Sequence, residues 1–297
     1  MRGLTTTAVA AAMLGASGAA SAAQNSDTCA NGLHIIVARG TGERQGSGVT
    51  GLLADRIAGQ VQGSKVAPLD YPASLTDPAY DVSVGDGVKA MQGALDRYTA
   101  ACPDSKVVVM GYSQGAQVSM DAICGGAGGV FDSATPLAVN KVENNIVAIV
   151  LFGDPTHRAN TTYDKGTSIR NGIFQRSNAS VEVCAKYADR LVSYCDTGDT
   201  YCDAGKDKKV HGTYVQKYGD DSVKYIVAQY NAATENGGGT STAAASGTAT
   251  TATTAAPTGS GSAAVSGTTR AAASGLVVSG SLYLGVPLAV LAMFQAL

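Results

Sequence analysis

Lys106-Val107-Val108-Val109-Met110-Gly111-Tyr112-Ser113-Gln114-Gly115 is the stretch that decides how this chain is read. Four apolar residues follow Lys106, three of them β-branched, and such a run suits a short buried strand. From Gln114 to Ile123 the sequence reads as a helix. Ser113 stands at the joint, with Gly111 two residues before it and Gly115 two residues after. A strand passing directly into a helix forces the serine into a strained turn that exposes its hydroxyl, and the flanking glycines leave room for the crossing backbone. Ser113 is the only serine in the chain flanked in this way. An ordinary Gly-Ser turn is the competing reading, so the residues around it must decide.

Outward from this turn, Leu33–Ala38, Val66–Tyr71 and Ile146–Phe152 repeat the strand pattern: short, apolar or β-branched, bounded by polar residues, Gly or Pro. Helices are expected over Val49–Gln62, Val84–Ala101, Gln114–Ile123 and Thr213–Tyr230. In the last of these Val215, Tyr218, Val223, Ile226, Val227 and Tyr230 recur near helical spacing, so its aromatics read as core. Alternating strands and helices predict an α/β fold, a central mainly parallel sheet flanked by helices.

A serine hydroxyl needs a base to become a nucleophile, and the chain has 3 histidines. His34 opens the first strand and reads as a packing residue. His157 follows Gly153-Asp154-Pro155 at a strand end and could line a site. His211 comes last, where the chain order Ser, Asp, His puts the base of a strand-turn-helix serine site. Asp154, Asp189, Asp196, Asp199, Asp203 and Asp207 all compete for the acid. Cys195 and Cys202 bracket two of them, and a bridge there would rigidify a carboxylate that has to orient an imidazole. Spacing alone leaves Asp196 and Asp199 as rivals.

Net charge is −2 over 297 residues with no basic cluster, which argues against nucleic acid as a partner. Residues 1–23 read as a secretory signal: Arg2, an Ala- and Leu-rich stretch, then Ala20-Ser21-Ala22. The 6 cysteines all follow it, which favours disulfides over thiols or zinc. Asn160-Thr161-Thr162 and Asn178-Ala179-Ser180 are glycosylation sequons. Residues 24–234 form the expected folded domain. Across 235–275 every residue except Glu235, Asn236, Pro257, Val265 and Arg270 is Ser, Thr, Ala or Gly, the composition of a disordered, O-glycosylated stalk. Residues 276–297 are apolar and uncharged. Small residues, a polar spacer and a terminal apolar tail make the signal for a glycosylphosphatidylinositol anchor, attached between about Ser262 and Gly267. Membrane contact is expected only through that lipid; a spanning tail helix is the alternative.

Gly111-Tyr112-Ser113-Gln114-Gly115, the Cys-flanked Thr197-Gly198-Asp199 and Ile36-Val37-Ala38-Arg39-Gly40-Thr41-Gly42-Glu43 together resemble the cutinase and acetylxylan esterase family, over about Cys29–Tyr230. The resemblance implies a three-layer cutinase-like α/β-hydrolase with Ser113 as nucleophile, Asp199 as acid and His211 as base. It also implies an oxyanion hole at Thr41 and the Gln114 backbone N–H, with no metal or cofactor. The disulfides it implies are Cys29–Cys102, Cys195–Cys202 and, as in the acetylxylan esterase branch, Cys124–Cys184. Cys124-Gly125-Gly126, Gly153-Asp154-Pro155 with Arg158, and Thr41 lean the same way. The implied substrate is an acyl ester of a plant cell-wall polymer, acetylated xylan ahead of cutin, hydrolysed by a monomer. The alternative of another class is an inactive wall-anchored binding protein. An intact triad and the absence of Trp argue against it.

Overall fold

The computed structural model describes residues 29–131 and 134–235. The expected signal segment, the stalk beyond Glu235 and the apolar tail lie outside the described residues. Among the described residues no helix is long and apolar enough to cross a membrane.

Six strands, β1 (Leu33–Ala38), β2 (Lys65–Pro68), β3 (Lys106–Tyr112), β4 (Ile146–Phe152), β5 (Asp164–Gly166) and β6 (Leu191–Cys195), form one sheet in the order β2-β1-β3-β4-β6-β5. Every neighbouring pair is parallel. The helices are α1 (Gly51–Gln60), α2 (Tyr80–Ala101), α3 (Gln114–Cys124), α4 (Val139–Asn145), α5 (Asn178–Ala185), α6 (Lys208–His211) and α7 (Tyr214–Glu235). Because successive strand residues face opposite sides, β1 feeds two cores. Leu33, Ile35 and Val37 pack with Leu53, Ala54 and Ile57 of α1 and Val223 and Ile226 of α7. Ile36 and Ala38 pack with Val84, Val88, Met91 and Leu95 of α2 and Val118 and Ile123 of α3. The result is the expected three-layer α/β/α arrangement. Each of the Val, Leu, Ile and Met side chains among them contributes about 1.5–3 kcal/mol by leaving water.

Boundaries moved where local chemistry overrode the apolar pattern. β2 ends at Pro68, short of the expected Tyr71, although Leu69 N–H still donates to Val37 O at 2.8 Å; the strand lies at the sheet edge, where a proline is tolerated. α2 starts at Tyr80, four residues earlier than Val84, and adds the buried Tyr80 and Ser83 to its inner face. α4, β5, α5, β6 and α6 were not anticipated. The three disulfides pair as the resemblance implied, Cys29–Cys102, Cys124–Cys184 and Cys195–Cys202.

From β1 the chain steps outward to β2 and then crosses back to β3 on the other side of β1. That reversal opens a crevice at the carboxyl ends of β1 and β3. Thr41 leaves one of those ends and Ser113 the other.

Candidate active site

Ser113 adopts φ 54° and ψ −119°, a conformation that few non-glycine residues adopt. The turn is fixed by its own backbone. Ser113 N–H donates to Phe152 O at 2.9 Å, and Ser113 O accepts from Ala116 N at 2.9 Å and Gln117 N at 3.2 Å. Two glycines are required by contact. A Cβ on Gly111 would stand 2.5 Å from Gly115 O, and one on Gly115 would stand 2.1 Å from Ala38 O. Gln114 opens α3, so its amide has no partner within the helix and lies at the positive end of the dipole. Its side chain is buried, accepting from Ser83 Oγ at 2.9 Å and donating to Ser74 O at 2.9 Å.

His211 ends the short α6, which Asp207 caps through Lys209 N–H at 2.9 Å. Its Nε2 lies 2.8 Å from Ser113 Oγ, and its Nδ1 lies 2.8 Å from Asp199 Oδ2. An ionised carboxylate only accepts, so Nδ1 carries the proton and Nε2 is free to take one from the serine. Gly153 makes the space. A Cβ there would meet His211 Cε1 at 2.8 Å, and the residue holds φ +62°. Tyr112 donates to His211 O at 3.0 Å, and the Tyr201 ring lies 4.5 Å from the imidazole.

Asp199 is fully buried in the Cys195–Cys202 loop and takes four donors. Oδ1 accepts Tyr201 N–H at 2.7 Å and Cys202 N–H at 3.1 Å; Oδ2 accepts His211 and, at 2.6 Å, the Tyr214 hydroxyl. Burial alone would raise this carboxyl, but the bond and charge of His211, then Tyr214 and Tyr201 N–H, outweigh it and hold it below the ordinary value.

The other acid candidates are each engaged elsewhere. Asp196 pairs with Lys217 at 2.7 Å and accepts Tyr218 and Thr167 hydroxyls. Asp203 pairs with Arg170, and Asp189 with Arg190. Asp154 accepts from Thr156 beside the buried Arg176, which ion-pairs Asp121 at 2.8 Å. His157 is buried and faces Asp164 at 3.3 Å, and His34 stacks on Tyr98 at 3.6 Å. The sequons Asn160 and Asn178 are both exposed.

The loop carrying Thr41 is arched over buried Arg39, whose guanidinium donates to the carbonyls of Glu43, Leu69, Tyr71 and Pro72. Glu43 closes the arch, accepting Gly40 N–H at 2.6 Å and Val49 N–H at 2.8 Å. Sequence reading missed Glu43 and Tyr214. The signals available were an acid inside a Gly-rich turn and a tyrosine three residues after the histidine.

An activated hydroxyl, a proton acceptor and a fixed carboxylate can run nucleophilic acyl transfer. The Cutinase family model matches residues 29–230. An acetylxylan esterase of Hypocrea jecorina is 32% identical over 71% of this chain and 72% of its own length. Cutinase 11 of Verticillium dahliae is 30% identical over 67% of this chain and 69% of its length. A solved acetylxylan esterase structure superposes with TM-score 0.63 at 27% identity, covering 68% of this chain and 100% of that one.

Proposed function

The chain belongs to the cutinase family and is a serine carboxylic ester hydrolase, and on that premise we propose that it removes short acyl groups, acetyl first, from a plant cell-wall polysaccharide such as acetylated xylan. The observation that carries this reading is the continuous line Ser113 Oγ, His211, Asp199, with 2.8 Å at both links. Ser113 attacks the ester carbonyl while His211 Nε2 takes its proton. Asp199 holds the Nδ1–H tautomer and stabilises the imidazolium. The Gln114 amide, with the Thr41 amide and hydroxyl, receives the oxyanion. His211 then protonates the departing sugar hydroxyl, and water attacks the acyl-enzyme by the same route in reverse.

Acetyl is favoured over long acyl chains by the likeness to acetylxylan esterases and by the Cys124–Cys184 bridge of that branch. The protein acts as a monomer at the cell surface. Residues 1–23 direct secretion, and everything after an attachment residue between about Ser262 and Gly267, the apolar tail included, is exchanged for a glycosylphosphatidylinositol anchor.

A chain-length series of nitrophenyl esters, run beside acetylated xylan, tests the substrate. Acetate as the fastest ester together with acetate release from xylan is the expected result. Preference for butyrate and longer, with no acetate from xylan, transfers the reading to cutin, the specificity named for the Verticillium relative. Phosphatidylinositol-specific phospholipase C releases an anchored protein from cells; failure to release it, once a lipase-resistant anchor is excluded, counts against the anchor and for a spanning helix or cleavage without attachment.

A further inference from the structure

Tyr214 opens α7 and is fully buried, its ring 6.5 Å from Phe152 and 6.3 Å from Tyr218. Phenylalanine would pack equally well there. The hydroxyl is what packing does not require, and it has three neighbours: Asp199 Oδ2 at 2.6 Å, Asp196 N–H at 3.0 Å and Cys202 Sγ at 3.1 Å. A phenol carries one proton. The Asp196 amide can only donate, and Cys202 is disulfide-bonded and has no proton to give. The phenol proton therefore goes to the carboxylate, on the oxygen that also faces His211.

From this geometry we infer that Tyr214 is a positioning residue for hydrolysis: its phenol fixes the Asp199 carboxylate against the imidazole and draws charge from the oxygen they share. The sequence builds the device economically. His211-Gly212-Thr213-Tyr214 crosses from α6 into α7, so one turn delivers both donors. Their rings lie 6.3 Å apart at 88°, reaching Oδ2 from different directions. Burial first, then the Asp199 charge and hydrogen bond, push Tyr214 ionisation far above the ordinary tyrosine value, so the donor is present at any working pH.

This inference rests on the triad reading above and extends it to a residue behind the acid. Ser113, Asp199, Tyr112, Tyr201 and Tyr214 surround His211. Asp196 lies behind the phenol, countered by Lys217 and Tyr218. Removing the phenol proton returns charge to Oδ2, which favours the imidazolium in the free enzyme. The acid limb of kcat/KM, which reports His211 protonation, then moves to higher pH.

The test is Tyr214→Phe beside 3-fluorotyrosine at position 214, whose more acidic phenol keeps the ring and strengthens the donor. For Tyr214→Phe we expect kcat to fall about ten-fold with KM unchanged, and the acid limb to rise by about half a pH unit or more. The fluorinated enzyme should shift its limb the opposite way. A melting temperature that drops while neither limb moves makes Tyr214 structural only and overturns the inference. If Tyr214→Phe does not fold, the fluorinated enzyme decides alone by the same criterion. Ser113→Ala measured in parallel separates the two levels. Turnover by Ser113→Ala at the parent rate sinks the triad, whereas a dead Ser113→Ala with unmoved limbs sinks only the role of Tyr214.

Discussion

The Cys195–Cys202 loop, which carries Asp199, and the Arg39–Glu43 loop, which carries Thr41, are held in different ways, the first by a covalent bond and the second by hydrogen bonds alone. The acid loop must keep a formal charge buried. A disulfide closes it, and all four donors on Asp199 compensate the desolvation that would otherwise protonate it. The loop after β1 also buries a charge, the Arg39 guanidinium, and holds it without a covalent link. Arg39 gathers four carbonyls, Glu43 ties off two amides, and Gly42 and Gly48 supply positive φ where the backbone doubles back. Asp199 is the charge that must also meet an imidazole, and one of the three disulfides closes its loop.

The largest effect that could break this contrast is Asp199→Asn. We expect kcat to fall about 10⁴-fold with KM little changed, because the amide supports the wrong histidine tautomer. A loss under ten-fold would remove the acid loop from catalysis. On the other loop Thr41→Val deletes one hydroxyl and keeps the backbone amide. The expected loss in kcat is about 10²-fold, with melting temperature unchanged; parent kinetics would make Thr41 an ordinary turn residue.

The disulfides sharpen the comparison further. Closing 7 residues of separation at Cys195–Cys202 and 73 at Cys29–Cys102 is worth about 2.4 and about 4.4 kcal/mol in the chain-entropy model. Replacing both cysteines of each pair by serine should thus cost more melting temperature at Cys29 and Cys102. Activity well below the transition should show the reverse order, with the Cys195/Cys202 protein the slower. The same order in both measurements would mean that the small loop is only a staple.

The smallest effect belongs to Asp196, three residues from the acid. Burial pushes its carboxyl up, but bonds from Lys217, Tyr218 and Thr167 outweigh that and hold it below the ordinary value. Its stabilisation is therefore present above about pH 4 and lost as pH falls through its folded value. Asp196→Asn should lower the melting temperature at neutral pH and converge on the parent in strong acid. Turnover should stay close to the parent's, since the Asp196 carboxylate bonds Lys217, Tyr218 and Thr167 and not Ser113 or His211. A collapse of kcat would reopen the choice of acid.

The elements with long apolar runs were legible in the sequence. β1 and β4 fall on the expected Leu33–Ala38 and Ile146–Phe152, and β3 overruns Met110 by two residues into the turn. The missed elements have weak local signals. β6, Leu-Val-Ser-Tyr-Cys, buries Ser193 and Tyr194, so no alternation marks it. β5 is Asp-Lys-Gly, with no apolar residue, and exists only because it pairs with β6. The site was legible as residue types in order, Ser113, an Asp and His211. The choice between Asp196 and Asp199 depends on which carboxylate the disulfide loop turns inward, and that is tertiary information. Gly153 acts through a contact with His211 that no spacing in the sequence reveals.

Covalent trapping tests the central claim most directly. A nitrophenyl phosphonate ester offered to the protein should release one equivalent of nitrophenol, abolish ester hydrolysis and leave the phosphonyl group on Ser113, mapped by tandem mass spectrometry. His211→Ala should suppress the labelling. A stoichiometric adduct on another residue, or full hydrolytic activity with Ser113 labelled, would contradict the account.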